Sequence, residues 1–326
     1  MAKNFDEWNR PLKELEEGID KLKEFARRED EAHKRVDLET KIEELERRRD
    51  NYIEVMFQRL GPWEKVLVAR APKRPYTLDY IASIFTDFVE LQGDRRGFID
   101  NAIVGGPAKL DGQPVMVVGH QKGRNIQERQ FRNFGMAKPE GYRKAIRLFD
   151  MAERFKMPVI SFVDTPAADP GVESESRGIS EAIAAGMFKM FELTVPTVAI
   201  VIGEGGSGGA IGIAASNRVL MQEHAVYSVI PPEGCAAILW RMPERGADAA
   251  KALQLTADSA MKFGIIDEIV AEPVGGAHRD PLEASSLVKS ALVRHLTELQ
   301  SMTGRQLKDQ RYDKFRAVGE FQSIAE

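Results

Sequence analysis

Gly203, Gly205, Gly206, Gly208 and Gly209 place five glycines within seven residues, between the apolar, largely β-branched run Val198–Ile202 and the small residues that begin at Ala210. The run before them has strand character, and the residues after them read as the start of a buried helix. A strand-to-helix junction leaves backbone N–H groups without intrahelical acceptors, and the helix dipole turns them toward negative charge. A phosphate loop would close on Lys followed by Ser or Thr, whereas Ala210 and Ile211 follow Gly209 here. Gly203, Gly205 and Gly208 match the dinucleotide spacing, but that motif opens the first βαβ unit of a sheet, and several strands precede this one. With no basic residue inside the run, a small oxyanion held by two backbone amides is the better reading. A glycine turn required only for close packing is the alternative.

The elements that must position this segment divide the chain by texture. Up to about residue 60, charge dominates and apolar residues recur at helical spacing: Leu12, Leu15, Ile19, Leu22 and Phe25, then Leu38, Ile42, Leu45, Tyr52 and Met56, with Arg49 interrupting the second seam. Leu60-Gly61-Pro62 supplies a stop, so two antiparallel helices are predicted. Charge runs such as Glu46 to Asp50 mark a solvated face or a partner-binding one. Ala102 to Leu110 and Pro114 to Gly119, joined at Asp111-Gly112, read as a β-hairpin. Helices near 139–156 and 178–193 each lead into a Pro-led buried strand, Pro158 to Asp164 and Pro196 to Ile202. Such alternation implies parallel pairing, with Asp164-Thr165-Pro166 and Glu204 to Gly209 side by side at the carboxyl ends of the strands, where sites are built.

The 326 residues are 43% hydrophobic and 29% charged, an ordinary soluble composition with a net charge of −4 that leaves no footprint for nucleic acid. The first residues lack the apolar core of a signal peptide and no apolar run reaches a membrane span, so a cytoplasmic location is expected. The single cysteine, Cys235, excludes a disulfide framework and a cysteine metal cluster, and reads as a small buried residue on a helix.

Several motifs in one order carry a family resemblance: Arg74-Pro-Tyr-Thr-Leu-Asp-Tyr80, Gly119-His-Gln-Lys-Gly123, Arg132-Asn-Phe-Gly-Met136, Pro139-Glu-Gly-Tyr-Arg-Lys144, Ile202 to Ala210, Tyr227-Ser-Val-Ile230, Pro232-Glu-Gly-Cys235 and Gly275-Gly-Ala-His-Arg279. Together they resemble the alpha subunits of the carboxyltransferase component of bacterial acetyl-CoA carboxylase. The resemblance implies an α/β crotonase-type (ClpP/crotonase-like) fold of repeated ββα units behind an N-terminal helical hairpin. It divides the chain into a helical region with subunit contacts (1–95), the carboxyltransferase core (96–272) and a C-terminal helical extension (273–326). It also implies a separately encoded beta subunit in an (αβ)2 heterotetramer, with biotin carboxyl carrier protein and biotin carboxylase in the larger complex. No nucleic acid, membrane, metal or covalently held cofactor is implied.

The activity implied is transfer of a carboxyl group from carboxybiotin on the carrier protein to acetyl-CoA, giving malonyl-CoA for fatty acid biosynthesis. Gly208, Gly209 and Ala210 carry over as the oxyanion site, Gly205 and Gly206 as residues shaping the approach, and Lys122, Arg124, Pro166 and Ala167 as substrate-binding residues. The freed biotin N1 takes the methyl proton, which accounts for the absence of a His, Asp and Ser constellation. The alternatives are half of a biotin-dependent carboxyltransferase or decarboxylase for another acyl-CoA, and a non-catalytic scaffold. One departure bears on that choice. Family members usually read Asp-Thr-Pro-Gly-Ala-Tyr-Pro-Gly where this chain has Asp164-Thr-Pro-Ala-Ala-Asp-Pro-Gly171, so Ala167 and Asp169 replace a glycine and a tyrosine, and Asp169 is expected exposed on the site rim.

The segment from Lys122 to Arg147, with Arg124, Arg129, Arg132, Lys138, Arg143 and Lys144, is locally basic and suits CoA phosphates or a carboxylate, or else forms a solvated face. His120 and His224, beside strands, are expected as hydrogen-bonded packing residues. Thr256 to Gly264 and Ile265 to Val270 resemble the helix and strand that close such cores.

Overall fold

The structure is a computed structural model describing residues 4–29 and 31–319. The N-terminal hairpin forms as expected, from α1 (Phe5–Arg28) and α2 (Ala32–Gln58). Asn4 caps α1 by accepting from the Glu7 amide at 2.8 Å, and the Glu7 carboxylate accepts from the Asn4 amide at 3.2 Å. Leu15, Ile19, Leu22, Ala26, Leu38, Ile42 and Leu45 close the seam.

Two expected seam residues, Phe25 and Tyr52, are exposed instead. Phe25 is 70% exposed, because Ala26, four residues after Leu22, takes the inward position. Tyr52 gives way to Ile53: beyond Arg49, α2 turns its Ile53 and Phe57 side toward the body of the protein. There Phe57 joins Trp8, His224 and His278 in an aromatic cluster with ring centroids 5.4 to 6.3 Å apart.

The helices α3 (Pro62–Ala69) and α4 (Thr77–Ile84) precede the sheet. The hairpin of β1 (Ile103–Leu110) and β2 (Gln113–His120) turns at Asp111 and Gly112, both with positive φ, as a two-residue Asp-Gly turn requires. Next come α5 (Ile126–Phe131), α6 (Pro139–Phe155), β3 (Val159–Thr165), α7 (Val172–Ser176), α8 (Ile179–Glu192), β4 (Thr197–Gly206) and α9 (Ser207–Ile211). The chain continues through β5 (Arg218–Gln222), β6 (Val226–Ser228), α10 (Pro232–Trp240), α11 (Gly246–Leu253), α12 (Ala257–Lys262), β7 (Glu268–Val270), α13 (Pro281–Gln300) and α14 (Gly304–Arg316).

The strands run in the order β1-β2-β3-β4-β5-β7, antiparallel only at β1-β2, with β6 pairing the far end of β4. Alternation along each strand separates two cores. Val118, Val163 and Val201 pack beneath α6 and α8, while Val117, Phe162 and Ile200 pack against α4 and α13. Residues 77–85 therefore share a core with the sheet.

Buried ions tie the outer segments to this sandwich. Arg74 grips Glu272 in a bidentate pair at 2.6 and 2.8 Å and donates to the Ile202 carbonyl at 2.6 Å. Glu272 also accepts from the amides of His224 and Ala277, so the Arg74 and Gly275 motifs act on one anchor. Burial opposes the Glu272 charge, but the Arg74 guanidinium holds its carboxyl down at about 2.

The glycine segment departs from the expected loop. β4 continues through Gly206, where Glu204, Gly205 and Gly206 pair with Val226, Tyr227 and Ser228, and Thr165 pairs with Gly205. Partner strands on both sides satisfy this backbone, so it stays extended despite glycine's low strand propensity. The helix after it is a single short turn.

Candidate active site

Two chain segments meet at the carboxyl ends of β3 and β4. The first turns immediately after Thr165, whose hydroxyl donates to the Ala167 carbonyl at 2.6 Å. The second turns at Ser207, held at φ +52°, and enters α9. Their backbones are in van der Waals contact. A Cβ on Gly206 would lie 1.9 Å from the Pro166 carbonyl oxygen, and one on Gly209 would lie 2.6 Å from both Ala167 C and Ala168 N. No side chain caps α9, so its first-turn amides keep their donor capacity. From the interior, the Tyr142 hydroxyl donates to the Gly209 carbonyl at 3.2 Å, fixing the peptide plane that carries the Ala210 N–H.

Two cavities flank this contact. On one side, a cleft of about 380 Å³ is walled by Ser207 and Gly208 and by the largely apolar set Ile211, Tyr227, Leu253 and Phe263. Burial raises the Tyr227 phenol to about 12, so the cleft carries no ionised side chain at neutral pH. On the other side, a cavity of about 210 Å³ lies among Arg70, Tyr76, Lys122, Arg129, Phe134, Pro166 and Glu204.

Behind the glycine segment lies a bridge of charges. Lys122 Nζ is 2.7 Å from Asp164 Oδ1 and 2.8 Å from Glu204 Oε2. Arg70 Nε donates to Glu204 Oε1 at 2.7 Å, and Arg70 Nη1 reaches Glu233 at 2.5 Å. Burial alone would depress the Lys122 ammonium, but the two carboxylates raise it above the ordinary lysine range. Burial would likewise raise Glu204, yet Lys122 and Arg70 push it down to about 2.

The structure therefore revises several expectations about charge. Lys122 lines the smaller cavity, where it is paired with the carboxylates of Asp164 and Glu204. Arg124 pairs with Asp79 and stacks over Tyr76, 4.7 Å from the ring centre, outside both cavity walls. Arg129 lines the smaller cavity, whereas other members of the basic segment are spent on the fold. Arg132 donates to the Asn101 carbonyl, Arg143 to the Arg177 carbonyl and the buried Lys144 to the Asp100 carbonyl.

Asp169 is half-buried and faces inward, accepting from Asn133 Nδ2 at 3.0 Å and Ser174 Oγ at 2.5 Å. Burial opposes its charge, but these donors hold the carboxyl below the usual range. The exposed rim carboxylate is thus an internal brace between the Asn133 turn and α7.

His120 is fully buried on the α9 side of β2, near the carbonyls of Gly209 and Phe162, but neither ring nitrogen meets hydrogen-bond geometry. Burial, then the Lys122 charge, holds its imidazole down at about 3, so it is a neutral packing group. His224 also packs, against Phe57, while its backbone amide donates to Glu272. Cys235 is buried on α10 as expected. Among the described residues, no group of three or more His, Cys, Asp or Glu side chains could hold a metal ion, and no helix is long and apolar enough to cross a membrane.

Sequence reasoning placed Asp164 and Glu204 in the two site segments but gave them no role, and it gave none to Tyr142. The available signal was Glu204 itself, the one charge in an otherwise apolar and glycine strand, which needed a buried partner.

The mixed α/β architecture, a largely parallel sheet with helices on both faces, is the fold of solved crotonase-like carboxyltransferases. Transcarboxylase 12S, solved with methylmalonyl-coenzyme A and methylmalonic acid bound, superposes with a TM-score of 0.54 at 20% identity over 70% of this chain; the chain spans 44% of that one. A Pseudomonas malonate decarboxylase hetero-tetramer, solved with coenzyme A, gives 0.54 at 17% identity over 67% of this chain and 89% of that chain.

The chain belongs to the acetyl co-enzyme A carboxylase carboxyltransferase-like family, whose model matches residues 5–319. The acetyl-coenzyme A carboxylase carboxyl transferase subunit alpha of Geobacter metallireducens is 54% identical over 98% of this chain and 99% of its own length. That of Photobacterium profundum is 50% identical over 98% and 99%.

Proposed function

We propose that this chain is the alpha half of a cytoplasmic acetyl-CoA carboxyltransferase. It would receive carboxybiotin from a biotin carboxyl carrier protein and, with a beta subunit in an (αβ)2 assembly, pass the carboxyl group to acetyl-CoA, in a larger complex with biotin carboxylase. The observation that carries the reading is the meeting of the two strand-end turns, with the uncapped start of α9 placing Gly208 on the wall of an uncharged cleft and the buried Gly209 and Ala210 following it in the same turn.

The ureido oxygen of biotin gains negative charge as the N1–carboxyl bond breaks. Two backbone donors preset for it in a water-poor cleft cost no reorganisation, and one such donor is worth about 3 to 4 kcal/mol of barrier. The apolar wall of Ile211, Tyr227 and Phe263 suits a fused ring with no net charge. The carboxyl group moves to the methyl carbon of acetyl-CoA, and the methyl proton passes to the freed N1. No side-chain base is then needed, in keeping with a cleft that has none.

Pro166 and Ala167 serve as the opposing backbone wall; Gly206 and Gly209 keep that wall within contact distance, and Gly205 leaves room for the Tyr227 ring. The Asp169 departure gives little reason to assign a different acyl-CoA, because its carboxylate is used by Asn133 and Ser174.

The test is to assay malonyl-CoA formation from carboxybiotin and acetyl-CoA with the chain alone and with its beta partner. Turnover is expected only with both. Appreciable malonyl-CoA from the single chain would refute a site completed by the partner, and none from the assembled pair would refute the activity.

A further inference from the structure

The bridge of Lys122, Asp164 and Glu204 lies at the base of the glycine segment, with Glu204 four residues before Gly208 in the chain, and is not explained by binding. Its members come from three neighbouring strands: Lys122 follows β2, Asp164 ends β3, and Glu204 precedes Gly205 in β4. Asp164 Oδ1 additionally accepts from the Glu204 backbone amide at 3.0 Å, so it holds the glycine strand by its main chain as well as by charge. Two glycines exist to admit these side chains. A Cβ on Gly203 would lie 2.4 Å from Asp164 Oδ1, and one on Gly135, at φ +80°, would lie 2.8 Å from Lys122 Cγ.

Burying such ions is expensive, and well-packed apolar residues commonly serve stability as well or better. What ions add is a fixed separation, set by three short contacts, between elements that apolar packing would let slide. Here the elements are the ends of β3 and β4, and the next residues along each are the two walls of the site.

We infer that Lys122, Asp164 and Glu204 are positioning residues for carboxyl transfer, a charge bridge that sets the spacing between the Pro166–Ala168 turn and the amides of Gly208 to Ala210. The inference rests on the proposed carboxyltransferase reading. It assigns these groups no contact with substrate: Lys122 is already neutralised, and Glu204 is held by Lys122 and Arg70 on both carboxylate oxygens.

The test uses the complex reconstituted with its beta subunit and three variants: Glu204→Gln, Lys122→Met, and the double variant, which removes one charge of each sign and leaves the cluster's net charge unchanged. Steady-state kinetics on acetyl-CoA and hydrogen exchange over residues 203–211 are read together. The double variant is expected to assemble, to lose about ten- to a hundredfold in kcat with KM changed less than about threefold, and to exchange faster at 203–211 while the central strands stay protected.

A double variant that assembles with wild-type kcat and wild-type exchange would overturn the inference. So would a fall in kcat with unchanged exchange, which would make these groups direct participants, or failure of all three variants to fold, which would make the bridge a general support of the sheet. Absence of transfer by the wild-type complex would instead sink the carboxyltransferase reading, while the exchange measurement would still report on the bridge.

Discussion

The space behind each glycine predicts a graded response to a single added methyl group. At Gly209 the new Cβ would sit 2.6 Å from two backbone atoms of the Ala167–Ala168 peptide, and contact becomes ordinary only near 3.4 Å. Neither atom belongs to a flexible side chain, so the two turns must separate by about 0.8 Å, a misplacement of the size that costs about a hundredfold in rate. At Gly208 the Cβ would meet only the end of the Ile183 side chain, at 3.2 Å, which can give by a few tenths of an ångström.

Stability does not confound the comparison. Alanine gains up to about 1 kcal/mol over glycine in a helix, overpacking costs about 1 to 3 kcal/mol, and a domain has about 5 to 15 kcal/mol in hand. Gly209→Ala should therefore assemble with the beta subunit and lose about a hundredfold in kcat, the scale of one oxyanion donor, whereas Gly208→Ala should lose less than about fivefold. Gly206→Ala, 1.9 Å from the Pro166 carbonyl, should be the most damaging of the three. The assay is steady-state malonyl-CoA formation by complexes matched for assembly and melting temperature. Equal losses at Gly208 and Gly209, or wild-type kcat in an intact Gly209→Ala complex, would refute the argument that the distance between the two turns controls the rate.

Other perturbations follow from the same geometry. Arg74→Met strands the Glu272 carboxylate in the core and should cost about 3 to 5 kcal/mol in denaturant unfolding; Arg74→Met with Glu272→Gln should recover part of it, and no recovery would argue against an uncompensated charge as the cause. Between pH 6.5 and about 3 the unfolded chain protonates His120 while the folded chain does not, so stability should fall as pH drops through this window. His120→Met should flatten that limb in pH-dependent melting. Glu204 and Glu272, held near 2 against 4.5, add a second loss as pH falls from about 4.5 toward 2. Asp169→Tyr should leave KM for acetyl-CoA within about twofold while raising hydrogen exchange over residues 166–176, since it breaks the ties to Asn133 and Ser174; a clearly lower KM would return Asp169 to the rim.

Much of this fold was legible because its signals are local. The Asp111-Gly112 turn, the helix after Pro139 and the buried strands from Val159 and Thr197 all rest on residues close in sequence, and each formed as the pattern required. The hairpin seam failed where a distant segment took over: Tyr52 yields to Ile53 because the base of α2 meets the Gly275 region, which no period within α2 can reveal. The basic run misled for a related reason. Arg132, Arg143 and Lys144 find their carbonyl and carboxylate partners only after folding, so their charge, open in the sequence, is spent inside the protein.

The choice between a glycine turn for packing and a glycine turn for an oxyanion dissolves in the geometry. Gly206 and Gly209 are required by the Pro166–Ala168 backbone, which is packing; the helix turn so placed brings the Ser207–Gly208 backbone to the wall of an uncharged cleft, which is chemistry. Gly208 separates the two roles. Its Cβ would meet only Ile183, so packing alone makes a weak demand for glycine there, yet its backbone lines the cleft. The short α9 also gives the amides little macrodipole of their own, since that field sums over several turns. Their placement, fixed by Tyr142 beneath Gly209 and by the charge bridge behind Glu204, must then supply most of the stabilisation, and the site should be more sensitive to shifts of these supports than to surface charge around the cleft.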